Sequence, residues 1–154
     1  MKRLYTTPGP AALPAGLGSP PVSAPAIVPI MTTADIVAAR RYGRELGELR
    51  GATDVQATLI ATIISELARN ILLFAGTGEM LLTEASDSGR AGVDVTATDR
   101  GPGIRDLQRA LLGGYSTCGR MGLGLSGVRR MADEFDVTTG PETGTTVFAR
   151  KWFS

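Results

Sequence analysis

Histidine is absent from all 154 residues. That absence removes histidine-ligated zinc, Ser-His-Asp hydrolysis and an autophosphorylating histidine on this chain. Cys118 is the single cysteine, so no internal disulfide can form. A thiol of that kind suits a reducing cytosol and reads as structural rather than redox-active. Aromatic residues make up only 5% of the chain, too few to build stacking platforms for single-stranded nucleic acid. Charge of one sign is not in excess either: sixteen Lys and Arg against fifteen Asp and Glu give a net +1. No broad basic field exists for a phosphate backbone, so no nucleic-acid partner is expected. No apolar run approaches the ~20 residues that cross a bilayer. Pro8, Pro10, Pro14 and Pro20 interrupt what would have to be a signal-peptide core. The expectation is a cytoplasmic protein with no membrane partner.

The length fits one domain with a tail. Residues 1–26 hold six of the nine prolines, two of the basic residues and no acidic one. Such a segment buries too little apolar surface to offset its ordering entropy, and a disordered extension is expected there. The domain is then 27–154. Ile27–Ile30 reads as an edge strand, because Pro29 cannot donate to a second neighbour. Thr32 or Thr33 caps a helix to about Leu49, with Asp35 near its positive end and Gly51 as its stop. A second helix is expected from Thr53-Asp54 to Phe74, with Leu59, Ile63, Leu67 and Ile71 as its buried stripe. Glu79–Ser86 and Gly92–Thr98 flank the hairpin signal Asp87-Ser88-Gly89-Arg90. Ile104–Leu112 reads as a short helix and Leu125–Phe135 as the last long one. Asp136–Thr139 and Thr145–Trp152 pair around a turn. The sum is an α+β sandwich, a mostly antiparallel sheet with helices on one face.

Three separated stretches carry chemistry. Glu66 and Asn70 are four apart on the second helix, roughly 40° apart around its axis, and so share a face. An Asn amide oxygen suits magnesium, which takes a few hard oxygen ligands besides phosphates and water. Glu66, one turn earlier, is placed for general-base work on an attacking hydroxyl. The wet side of an ordinary amphipathic helix would carry the same residues. Asp99 ends an alternating strand before Gly101-Pro102-Gly103, where a carboxylate can accept from an exocyclic adenine amine and glycine admits a flat ring. An ordinary Asp-containing turn would look alike. Gly113, Gly114, Gly119, Gly122, Gly124 and Gly127 surround the start of the last helix, where bare backbone N–H groups bind anions. Gly122–Gly127 also matches G-x-G-x-x-G, but a polar loop rather than a strand precedes it, which argues against a Rossmann unit. No G-x-x-x-x-G-K-[ST] occurs.

In this order, Ile64-Ser65-Glu66-Leu67-Ala68-Arg69-Asn70, Asp99-Arg100-Gly101-Pro102-Gly103-Ile104, Gly114-Tyr115-Ser116-Thr117, Gly122-Leu123-Gly124-Leu125 and Lys151-Trp152 resemble the GHKL ATPase superfamily with its Bergerat-type sandwich. Within it the chain is most similar to the small serine/threonine kinases of the anti-sigma-factor class, the RsbT-type switch kinases of the stressosome. The resemblance spans 27–154 and implies ATP and Mg2+ as cofactors. It implies that Asn70 coordinates the magnesium and that Glu66 acts as base or orients the acceptor hydroxyl. Asp99 would bind the adenine amine, with Gly101 and Gly103 shaping the base pocket and Ile104 packing near it. Gly119, Gly122, Leu123, Gly124 and Leu125 would form the lid hinge and phosphate contacts. Thr145 would support Asp99 through a hydroxyl or a water. Arg120 departs from the group's usual small residue, and the proline-rich tail has no counterpart in the minimal domain. The implied substrate is a STAS-domain protein, with a PP2C-type phosphatase as a further partner. The alternative is an anti-sigma factor that sequesters a sigma factor directly. A bare histidine-kinase catalytic domain would lack its histidine-bearing helices, and a topoisomerase- or chaperone-like ATPase would lack room for a transducer domain.

Overall fold

Apolar residues recur at every second position of the strands and along one stripe of the two long helices, and the architecture follows from burying both. The computed structural model describes residues 11–12, 25–112 and 124–153. Its strands are β1 (Ala11–Ala12), β2 (Ala26–Ile30), β3 (Gly78–Asp87), β4 (Arg90–Asp99), β5 (Glu134–Gly140) and β6 (Gly144–Trp152). They form one sheet in the order β1-β2-β3-β4-β6-β5. Every pairing is antiparallel except that of β1, which runs parallel to β2 and opposes Ala26 and Ile27. Pro29 thus lies beyond the reach of β1, at a point where β2 needs no second donor. The helices are α1 (Thr33–Leu49), α2 (Asp54–Asn70), α3 (Leu107–Leu112) and α4 (Gly124–Met131).

Register aligns the core as rows across the sheet. Val28, Met80, Ala97, Val147 and Val137 form one row, and Ala26, Leu82, Val95, Ala149 and Phe135 the next. Both face α1 and α2, whose Ile36, Ala39, Leu46, Ile60, Ile63, Ile64 and Leu67, with Ile71 just beyond α2, complete the buried core. A third row on the same face ends in Asp99, Thr145 and Thr139 and carries the site.

Local chemistry explains the element ends. Thr32 and Asp35 close a capping box on α1, and Thr53 with Gln56 does the same for α2. The β3–β4 hairpin turns through Ser88 (φ 49°) and Gly89 (φ 85°), the two positive φ values that match strand twist in a two-residue turn. Arg50, at the end of α1, pairs with Glu84 on β3. Burial first, and then the Glu84 carboxylate, pushes the Tyr42 phenol above its usual range, so it packs as a neutral ring.

Several expected boundaries are corrected. Leu59 is half-exposed; the stripe is Ile60, Ile63, Ile64, Leu67 and Ile71. Steps of four drift about 40° each, so a stripe that faces one sheet must mix threes and fours. α2 ends at Asn70 and passes into a π-helical turn, Ile71–Ala75, closed by Gly76 N–H donating to Ile71 C=O at 2.9 Å. α3 starts at Leu107 rather than Ile104, because Asp106 Oδ1 accepts from Arg109 N–H at 3.1 Å and caps it there. α4 stops at Met131 rather than at residue 135, since Phe135 is needed as the β5 member of a core row. Of the expected tail, Ala11–Ala12 form β1 and residues 1–10 and 13–24 lie outside the described residues.

By length and composition, Asp54–Ala75 could cross a bilayer, with 22 residues and a mean hydropathy of 1.5, but half of that window is buried within the fold. It serves as the core helix under the sheet.

On the other face, Arg150 on β6 is only 8% exposed. It makes two bonds to Asp94, at 2.6 and 2.8 Å, and one to Glu134 at 3.3 Å. The Trp152 ring lies 5.1 Å and the Phe148 ring 5.4 Å from its guanidinium carbon. Paired and stacked, the cation tolerates burial that would be costly alone.

α1 approaches α2 at its glycines. A Cβ on Gly43 would collide with Ile64 Cδ1, and one on Gly47 would lie 3.0 Å from Ile60 Cδ1. Ile64 is fully buried and has nowhere to retreat. Gly43→Val is expected to destabilise the chain by about 1–3 kcal/mol of overpacking, read as a lowered urea midpoint with an unchanged slope.

Candidate functional site

Two helix ends and one strand end converge at the third sheet row. Gly78 on β3 opposes Asp99 on β4. A Cβ on Gly78 would lie 2.8 Å from Ile71 Cγ2 and 3.3 Å from Asp99 Cβ. The missing side chain therefore lets the end of α2 settle against Asp99, and Asn70 is the residue just before that contact. Gly101 repeats the device: a Cβ there would lie 2.7 Å from Ala75 Cβ and 3.1 Å from Phe74 C=O. The turn after β4 is thus seated on the π-helical turn after α2.

Asp99 is half-buried and its Oδ1 accepts from Gly101 N–H at 2.9 Å. Its Oδ2 makes no hydrogen bond with any described residue, and it remains an acceptor at a strand end. Gly103 has φ +80°, and a Cβ on it would lie 2.6 Å from Gly140 C=O, so the turn also rests on the β5–β6 hairpin. Ile104 N–H donates to Thr139 Oγ1 at 2.8 Å. Thr145 is buried and its hydroxyl lies 2.9 Å from that of Thr139. Thr145 pairs with Asp99 through the backbone register, while its side chain bonds to Thr139. Ile104 is partly buried against the core cluster.

Glu66 and Asn70 lie on the same side of α2, as their spacing requires. The Glu66 side chain is 12% exposed. Its Oε1 accepts from Arg69 at 2.9 Å and its Oε2 from Gly124 N–H at 3.4 Å. Gly124 opens α4, so a carboxylate faces the positive end of that helix and one of its otherwise unpaired donors. Gly124 and Leu125 begin α4, with Leu125 buried. Gly119, Gly122, Leu123 and Arg120, with Tyr115 to Cys118, lie outside the described residues.

The donor set fits a nucleotide with its cation. Asn70 is half-buried and its amide bonds to no described residue. Among the described residues no cluster of three or more His, Cys, Asp or Glu forms a cation cage. Magnesium beside a triphosphate takes only one or two oxygens from the protein, with phosphates and water supplying the rest, and the Asn70 amide oxygen is a hard donor of that kind.

Sequence reasoning missed Thr139. Its signal was present: Val137 and Thr139 alternate, and Thr139 and Thr145 stand equally far from the turn they flank. The close approaches at Gly78 and Gly144 left no comparable sign.

The family model described as histidine kinase-, DNA gyrase B- and HSP90-like ATPase matches residues 55–153. The serine/threonine-protein kinase RsbT of Bacillus subtilis is 45% identical over 125 residues, covering 81% of this chain and 94% of that protein. An anti-sigma F factor of Halalkalibacterium halodurans is 30% identical over 103 residues, 62% of this chain and 69% of that one.

Gly144 has φ +74°, and a Cβ on it would overlap Asp99 C=O and approach Arg100 Cα at 2.7 Å. Both are backbone atoms that no rotamer change relieves. Gly144→Ala is expected to cost at least about 1–3 kcal/mol of strain, measured by urea denaturation.

Proposed function

The chain belongs to the histidine kinase-, DNA gyrase B- and HSP90-like ATPase family, and from that premise we propose that it is an ATP-dependent serine/threonine protein kinase acting in a partner-switching cascade. The observation that carries this reading is the placement of Glu66. A largely buried carboxylate on α2, one turn before Asn70, meets the N-terminus of α4. That brings a proton acceptor beside backbone donors suited to phosphate. The 45% identity to RsbT over most of both chains supports the same activity.

In this reading Asp99 Oδ2 takes the adenine amine, and the turn from Gly101 to Ile104 forms the wall of the base pocket. Asn70 would hold Mg2+, which supplies charge neutralisation on the triphosphate when bound. Gly124 would contact the phosphates, together with Gly119, Gly122 and Leu123, for which the resemblance implies phosphate contacts and a lid hinge, while Leu125 is buried at the start of α4. Glu66 accepts the proton of the acceptor Ser or Thr hydroxyl, while Arg69 fixes its rotamer. Most of the rate comes from positioning, as is usual for phosphoryl transfer.

The proposed acceptor is a STAS-domain protein related to anti-sigma-factor antagonists, in the cytoplasm. Phosphorylation adds about −1.5 to −2 charges at pH 7, enough to weaken the interface that presented the hydroxyl. The released kinase would then engage a second partner, a PP2C-type phosphatase. The 30% identity to an anti-sigma F factor favours one other reading, direct capture of a sigma factor. Pull-down with a sigma factor against the phosphatase separates the two.

Incubation with radiolabelled ATP and a STAS protein should give acid-stable label. Asn70→Ala is expected to lose the magnesium-dependent part of ATP binding with the fold intact by circular dichroism. Unchanged ATP affinity would remove that residue from the metal site. Glu66→Ala is expected to retain ATP binding and lower transfer by about 10²–10⁴-fold, the usual share of a general base. Transfer at the parental rate would make Glu66 only a cap on α4.

A further inference from the structure

One backbone group stands between two anions. Gly124 N–H donates to Glu66 Oε2 at 3.4 Å, and nucleotide phosphate at the start of α4 would need the same donor. A backbone N–H carries one hydrogen, and two anions drawn close enough to share it repel each other. The two contacts therefore exclude one another. At 3.4 Å the bond to Glu66 is longer than the ordinary N–H···O range of about 2.7–3.2 Å, and so it is readily surrendered. The other oxygen is held differently. Glu66 Oε1 accepts from Arg69 at 2.9 Å, on the same helix, and that contact does not depend on α4.

Both sides have a reason to meet. The Glu66 side chain is largely buried, so water solvates its carboxylate poorly and protein donors must serve instead. The first turn of α4 holds no acidic residue, and Leu123 before it has no side-chain acceptor. The positive end of α4 is thus complemented by a residue of another helix, at the place where phosphate would sit.

We propose that Glu66 is a built-in competitor for nucleotide phosphate: without nucleotide it occupies the N-terminus of α4, and phosphate displaces it. This rests on the nucleotide reading of the site. Displacement frees Oε2 while Arg69 keeps Oε1, so the carboxylate pivots about that anchor and stays beside the site. The proton acceptor is released only where phosphate has taken its place, which ties the availability of the base to a loaded nucleotide. The consequence is weaker ATP binding than the same site would show without the charge.

The test uses the whole chain. Calorimetry with Mg-ATP compares the parent with Glu66→Gln, which keeps the shape and removes the charge. ATP affinity should rise about three- to tenfold, the scale of one carboxylate at a helix N-terminus. Adenosine, followed by amide shifts in NMR, makes no demand on Gly124 and should bind both chains alike. With no nucleotide added, exchange of the Gly124 amide should accelerate in Glu66→Ala. Should either variant not fold, the other carries both measurements. A charge-free variant with the parental ATP affinity, or with a gain that adenosine shares, overturns the proposal, and so does unchanged Gly124 exchange. A parent chain that gives no heat with Mg-ATP overturns the nucleotide reading and the competition with it, while Gly124 exchange still reports the tie between Glu66 and α4.

Discussion

The site depends on a single register, that of β4 against β6 and β6 against β5. Side chains alternate faces with a period of two residues, so a slip of one position would send Asp99, Thr145 and Thr139 to the solvent side together. Two apolar rows, Val28 to Val137 and Ala26 to Phe135, hold the register, because the same slip would also expose them. The cost of losing the core is therefore what keeps the polar row in place. Burial energy and site geometry are one constraint expressed at adjacent positions of the same strands.

Absent side chains do the second part of the work. Gly78 and Gly101 lie where β3 and the turn after β4 press on Ile71 and Ala75, and Gly103 and Gly144 lie where backbone meets backbone beside Asp99. Each lets two segments approach more closely than any Cβ permits. The end of α2, the end of β4 and the β5–β6 hairpin are joined this way into one rigid wall. Rigidity of that kind is what phosphoryl transfer asks of a protein, since little covalent chemistry is left for it to do.

Glu66 shows how one side chain serves two structural ends. Its carboxylate joins Arg69 on its own helix to Gly124 at the start of α4. The contact is local electrostatics, a negative group at a helix N-terminus. It also ties α2 to the helix that follows the glycine-rich segment, so in the proposed reading a phosphate contact near Gly124 and the placement of the base on α2 would be coupled through one bond. On the far face, Arg150 with Asp94 and Glu134 closes the sheet without using any group of the site.

By itself the sequence determined the elements and most of the chemistry. The caps at Thr32 and Thr53, the alternation of Val93, Val95 and Ala97, and the spacing of Glu66 and Asn70 are local facts, read within a few residues. The resemblance carried by ordered motifs extended them to a family and an activity. Only tertiary structure decided where α2 and α4 end, that Leu59 faces outward, and that Gly124 donates to Glu66. Those outcomes turn on which residues meet across elements separated by dozens of positions. Periodicity along a chain specifies a face, whereas a neighbour on that face is chosen only when the sheet closes.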